Sequence, residues 1–222
     1  MEDAVSPTLQ SIQIGQPQEL APTVGDTSDK PWRTAFFKQP VAGPIQATGL
    51  GLVGDGVEET AVHGGVDKAV CVYSAEHWPY WRERLEEPTL GAAAFGENFS
   101  VAGLIEEDVC LGDRWRIGDA EFEVSQPRQP CWKLARRWRT KQLTLWVQQN
   151  GYTGWYLRVV TEGTVTAGDA IERSARPLPD WTIARANQVM YELKDDRKAT
   201  AELAAVGTLS DSWKRQLRKR IV

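Results

Sequence analysis

Trp115-Arg116-Ile117-Gly118-Asp119-Ala120-Glu121-Phe122-Glu123-Val124 alternates apolar and polar residues on both sides of a Gly-Asp pair. Alternation with a period of two marks strands buried on one face, and Gly-Asp suits a two-residue hairpin turn. The same pair recurs at Gly54-Asp55, Gly112-Asp113 and Gly168-Asp169, with flanks too different for a sequence repeat. Frequent tight turns between short strands predict a barrel or a sandwich. Working outward, Ser11-Ile12-Gln13-Ile14 reads as a half-buried strand and Lys68 to Tyr73 as an interior one. Gly154 to Val160 and the region from Gly163 to Glu172 continue the pattern.

Helices interrupt it. Ser74 is placed to cap a helix running to about Glu87, with Trp78, Trp81 and Leu85 at helical spacing and Pro79 in its first turn. Further helices are expected from about Trp132 to Arg139 and from Leu143 to Gln149, the latter stopping near Asn150-Gly151. Arg176-Pro177-Leu178-Pro179-Asp180 reads as a linker, dividing residues 1–176 from residues 177–222. Beyond it Ile183, Ala186, Val189 and Leu193 fit one helical face, and Ala201 to Val206 a second helix. Ser210 or Asp211 caps a third, with Trp213, Leu217 and Ile221 as its apolar side. The expected class is mainly β with helical insertions (α+β), ending in a small three-helix bundle. So thin a bundle core predicts docking onto the β unit.

Composition narrows the function. A hydrophobic share of 41% with 25% charged residues is that of a globular protein. The net charge of -4 argues against general nucleic-acid binding. The basic run Lys214, Arg215, Arg218, Lys219 and Arg220 reads as a solvated helix face. No apolar run approaches the ~20 residues of a membrane span, and Met1-Glu2-Asp3-Ala4 lacks a signal core. Cys71, Cys110 and Cys131 are widely spaced and odd in number, which fits a reducing cytoplasm. With two histidines, His63 and His77, and no CxxC pair, a metal is expected to arrive inside a cofactor.

Four segments combine glycine or proline with polar groups. In Ser125-Gln126-Pro127-Arg128-Gln129-Pro130-Cys131-Trp132-Lys133-Leu134 the prolines fix the backbone, and the cations Arg128 and Lys133 favour a thiolate at Cys131. That thiol is a nucleophile, a soft-metal ligand or a small buried hydrophobe. Arg128 can grip a phosphate bidentately. His63-Gly64-Gly65-Val66-Asp67-Lys68 offers an anion nest or a plain hairpin turn. Asn98 in Gly96-Glu97-Asn98 offers a donor and an acceptor, or ends a turn. Gly49 to Gly56 matches neither a dinucleotide fingerprint nor a P-loop.

Together, His-Gly-Gly-x-Asp-Lys-Ala-Val, Gly-Glu-Asn, Gly-Asp and Ser-Gln-Pro-Arg-x-Pro-Cys-x-Lys-Leu resemble the MOSC domain, the molybdenum-cofactor-binding domain. The Leu-Ser-Asp-Ser-Trp-Lys-Arg stretch resembles the three-helix extension of the YiiM-like, 6-hydroxylaminopurine resistance branch. The resemblance extends from about Trp32 to the C-terminus. It implies a β-barrel holding a molybdopterin-type cofactor, with Cys131 as both molybdenum ligand and catalytic residue. It also implies that Arg128, Lys38, Lys68 and His63 contact phosphate or pterin, and that Tyr73, Ser74, Asn98 and Ser125 make polar contacts around it. The implied activity is two-electron reduction of N-hydroxylated compounds such as 6-hydroxylaminopurine. The chain shows no iron–sulfur or flavin fingerprint, so electrons are expected from a separate reductase. The alternative is a cofactor carrier or sulfur-transfer module without turnover. Homodimer formation is left open.

Overall fold

The computed structural model describes residues 6–22, 30–60 and 63–221; Met1-Glu2-Asp3-Ala4 lies outside them. The first strands are β1 (Thr8–Ile14), β2 (Gln18–Leu20), β3 (Trp32–Thr34), β4 (Gln39–Pro40), β5 (Ile45–Thr48) and β6 (Gly51–Leu52). Then come β7 (Val70–Ser74), β8 (Phe99–Ala102), β9 (Arg114–Ile117), β10 (Ala120–Pro127), β11 (Trp155–Thr161), β12 (Gly163–Val165) and β13 (Glu172–Ala175). The helices are α1 (Trp78–Arg84), α2 (Trp132–Arg137), α3 (Leu143–Asn150), α4 (Ile183–Tyr191), α5 (Arg197–Ala204) and α6 (Asp211–Ile221).

The hairpin forms where the alternation places it. Ile117 pairs with Ala120 across the two-residue turn, and Trp115, Ile117, Phe122 and Val124 are buried on one face. Gly118 has φ of 56°, and a Cβ there would lie 2.4 Å from the Thr164 carbonyl oxygen. No side chain fits that turn. β9 and β10 then seed an eight-stranded sheet ordered β13-β9-β10-β11-β7-β8-β1-β4. Its pairs are antiparallel apart from β7 and β8, which run parallel and need a crossover. That crossover carries a short 3-10 turn, whose entry the Ser74 hydroxyl caps by accepting from the Glu76 N–H, and then α1. The sheet curls until β1 reaches the turn that precedes β13. The Leu9 N–H donates to the Asp169 carbonyl at 2.9 Å, and the Gly168 N–H to the Leu9 carbonyl at 2.7 Å. The result is a half-closed barrel, mostly β, with helices packed on it.

Among the described residues, two apolar cores hold it. The larger joins Trp115, Phe122 and Trp155 of the sheet to Ile183, Val189, Leu203, Trp213 and Leu217 of the last three helices. Those helices thus bury their apolar faces in the same core as the strands. The smaller core packs Phe36, Tyr73, Trp81, Phe95, Leu134 and Val147, tying α1, α2 and α3 to the opposite face of β7.

Some boundaries differ from expectation. The region from Gly163 to Glu172 is no continuous strand, because the turn at Gly168-Asp169 separates β12 from β13. α2 stops at Arg137, and Arg139 adopts a left-handed φ of 49°. α4 ends at Tyr191, which leaves Leu193 beyond the helix and 37% exposed while Met190 is buried. α5 starts at Arg197, where the Asp196 side chain accepts the Ala199 N–H.

Because Trp213 is fully buried in the shared core, Trp213→Ala is expected to cost about 3–5 kcal/mol. Denaturant unfolding should show one transition shifted as a whole. An unshifted main transition with a separate minor one would contradict the shared core.

Candidate functional site

The two faces of the central strands diverge. Val70 and Val72 of β7 and Trp155 and Leu157 of β11 enter the larger core. Cys71 and Tyr156, which pair across these strands, line a cavity of about 350 Å³. Its other walls come from the turn after β3, the β5–β6 hairpin with the loop that follows, and the Arg128–Cys131 segment between β10 and α2. The structure brings Lys38, His63, Lys68, Asn98, Arg128 and Cys131 together here.

Cys131 sits at the N-terminal boundary of α2 with extended backbone (φ −110°, ψ 170°), and its side chain caps no helix N–H. Its carbonyl accepts the Leu134 N–H, so the backbone is anchored while the thiol, partly exposed, lines the cavity. Arg128 is 6% exposed and held at both ends. Its N–H donates to the Gly154 carbonyl at 3.0 Å, and its guanidinium donates to the Phe95 carbonyl. Burial opposes its charge, but Cys71, Tyr156, Cys131 and Glu97 around it raise it above the ordinary guanidinium value.

The other cations differ in availability. Lys38 is buried and ion-paired with Asp55, so its charge is compensated within the wall. Lys133 is buried on α2 with its Nζ 3.3 Å from Glu59. Burial lowers the Lys68 ammonium. Asn98 lines the cavity with its amide engaged. Its Oδ1 accepts the Cys71 N–H at 3.1 Å, and its Nδ2 donates to Asp55 at 2.8 Å and to the Gln13 carbonyl at 3.2 Å. Here Asn98 braces three segments of wall rather than presenting free polar atoms.

Three expected contacts are corrected. Tyr73 points into the smaller core, stacked on Phe95 at 4.2 Å, and its hydroxyl is engaged by the Trp81 indole N–H and the Tyr152 carbonyl. Ser74 is fully buried and serves as the helix cap already described. The Ser125 hydroxyl donates to the Asp67 and Tyr156 carbonyls at 2.6 and 3.0 Å, fixing the base of the His-Gly-Gly segment. All three support the wall without lining it.

Asp55, Cys71 and Tyr156 line the cavity without any sequence signal, and Lys133, expected only as a cation near Cys131, joins them. Strand alternation put Cys71 and Tyr156 on the faces opposite their apolar neighbours, but nothing in the sequence marked those faces as a cavity. Burial raises the Tyr156 phenol well above its ordinary value. Burial likewise raises the Cys71 thiol, so it stays protonated near neutral pH. Cys131 is partly exposed where Cys71 is buried, which makes Cys131 the more accessible of the two sulfurs to a metal. Among the described residues no group of three His, Cys, Asp or Glu could hold a bare metal ion. A sulfur donor beside a surplus of cations suits an anionic group carrying a soft metal.

Residues 59–172 match the family described as the MOSC domain. The chain belongs to the MOSC domain family. Within it, residues 181–221 match the YiiM-like, 3-alpha helix domain. The chain is 41% identical over 210 residues to YflK of Bacillus subtilis (strain 168), covering 95% of this chain and 92% of that one. The crystal structure of YiiM from Geobacillus stearothermophilus matches with TM-score 0.81 and 35% identity, covering 97% of this chain and 100% of that one. A longer protein of Gibberella moniliformis, named a reductase, is 36% identical over 160 residues, 71% of this chain and 28% of that one.

The His63 ring responds to both burial and the cavity's cations. Burial first, then Lys133, Arg128 and Lys68, push it from 6.5 down to about 4, against a smaller pull from Glu59. The folded ring therefore resists a proton that the unfolded chain takes up. Stability held above pH 6.5 is lost as pH falls towards 4. His63→Gln should remove this part of the acid sensitivity. With two histidines in the chain, NMR titration reads the ring directly, and a midpoint at or above 6.5 would contradict the cationic cavity.

Proposed function

We propose that the chain is a molybdenum-cofactor-dependent reductase of N-hydroxylated small molecules, 6-hydroxylaminopurine among them. The carrying observation is the placement of Cys131 and Arg128 in one cavity whose walls also hold Lys68 and Lys133. Family membership and the reductase-named relative support it. The donor set fits the cofactor: one thiol for molybdenum, and cations for its phosphate. When bound, the cofactor supplies a Lewis-acidic metal able to take up and deliver two electrons.

The chain's own residues do the rest. Cys131 anchors the metal through sulfur. Arg128, rigid at both ends, and Lys68 orient the anionic portion. His63, neutral near pH 7, offers a hydrogen bond without adding charge. Tyr156, protonated and beside Cys71, holds a proton at its phenolic oxygen. The exposed side chains of Leu50 and Val53 give the mouth an apolar edge on which a flat heterocycle can rest. Overall, an N-hydroxyl group, two electrons and two protons yield the amine and water. The electrons come from a separate reductase, and the reaction is placed in the cytoplasm.

Protein made in a host that synthesises the cofactor should retain molybdenum and pterin, and reduce a hydroxylaminopurine with an artificial electron donor. Cys131→Ser should lose reduction while keeping the fold. Arg128→Ala should weaken cofactor retention about ten- to a hundredfold, as expected for losing a charge-assisted contact worth about 1.5–3 kcal/mol. Full activity of loaded Cys131→Ser would remove Cys131 as the ligand. Cofactor handed on to an apo-enzyme with no reduction would favour the carrier.

A further inference from the structure

The second histidine lies away from the cavity, in a buried pair that the proposed chemistry does not use. His77 Nε2 is 2.6 Å from Glu106 Oε2, with the two side chains 4% and 2% exposed. The His77 ring stacks on Tyr152 at 3.9 Å with an interplanar angle of 10°. The other oxygen of Glu106 accepts the Gly154 N–H at 2.7 Å. Gly154 in turn offers the carbonyl that holds the Arg128 N–H. The same carbonyl accepts the Thr153 hydroxyl at 2.9 Å, and Asn187 of α4 donates to that hydroxyl at 2.8 Å. The Glu106 carbonyl also accepts the Ala184 N–H in the first turn of α4.

Gly154 is thus gripped on both sides, and it has no freedom to spare. Its φ is 70°, and a Cβ would lie 2.2 Å from the Val72 carbonyl oxygen. A buried carboxylate is costly to keep unless its oxygens are matched by donors. Here one oxygen faces an imidazole and the other a backbone N–H. The second of these contacts is directed at the peptide that locates Arg128 and, two residues on, Tyr156.

We infer that Glu106 is a positioning residue for the cavity, fixing Gly154 and through it the backbone of Arg128, with His77 and α4 holding Glu106 and Gly154 in place. α4 thereby gains a role as an outer brace of the site. The inference rests on the reading of Arg128 as a cofactor contact, and its test separates the two.

The full-length chain is used without cofactor for NMR titration of His63, and with cofactor for retention. In Arg128→Ala the His63 midpoint should rise from about 4 towards 6.5, because a neighbouring cation is gone. Glu106→Ala should raise it in the same direction and weaken cofactor retention about tenfold, as a lost outer partner does. Glu106→Gln keeps an acceptor for Gly154, so it should restore both while changing the His77 ring signals. Glu106→Asp, one methylene short of Gly154, should move both readouts less than alanine, and it carries the test if the alanine variant does not fold. If Arg128→Ala moves both readouts but folded Glu106→Ala and Glu106→Asp move neither, the positioning role is overturned. If the His63 midpoint moves in all of these but Arg128→Ala leaves retention unchanged, the positioning role stands and the cofactor reading of Arg128 falls.

Discussion

Arg128 is a cation taken almost wholly out of water, and much of the structure serves to keep it there. Burying an unmatched charge is among the costliest things a fold can do. The chain meets that cost by holding the residue at both ends through backbone carbonyls. The Gly154 carbonyl fixes its backbone and the Phe95 carbonyl fixes its head. Phe95 is itself held by its stack on Tyr73, and its N–H is taken by the buried carboxylate of Glu97. The arginine's direction is therefore set before any ligand arrives, so little ordering is left for binding to bring about.

The fold makes this possible by separating the jobs of strand faces. One face of β7 and β11 supplies valine, leucine and tryptophan to the larger core. The other supplies Cys71 and Tyr156 to the cavity and Tyr73 to the smaller core. Helices stand behind both cores. α1, α2 and α3 back the smaller one, and Cys131 immediately precedes α2. α4, α5 and α6 complete the larger one. α6 also touches the rim of the site through the reciprocal amide pair of Gln129 and Gln216, at 3.0 and 3.1 Å. The cysteine and the arginine thus lie where both packing units converge.

Much of this was legible in the sequence because it rests on local rules. The Gly118-Asp119 hairpin, the Ser74 cap and the glycine stop after α3 follow from turn and cap chemistry within a few residues. The gathering of His63, Lys68, Asn98, Arg128 and Cys131 followed from motif order rather than from physics. What stayed hidden depends on partners far apart in the chain. Lys38 looked like a phosphate contact until Asp55 was seen beside it. Asn98 looked available until Cys71, Gln13 and Asp55 were seen to use its amide. Tyr73, Ser74 and Ser125 carry polar atoms that suit a ligand, yet tertiary packing turns each of them to structural use. The period of a strand shows that it has two faces. It does not show which face meets a cavity.

The proposed function turns on Cys131 giving its sulfur to molybdenum. X-ray absorption at the molybdenum edge, on cofactor-loaded wild type and Cys131→Ser, tests it without relying on turnover. The wild type should show one more metal–sulfur contact than the variant. Equal sulfur counts in two proteins that both retain molybdenum would contradict it.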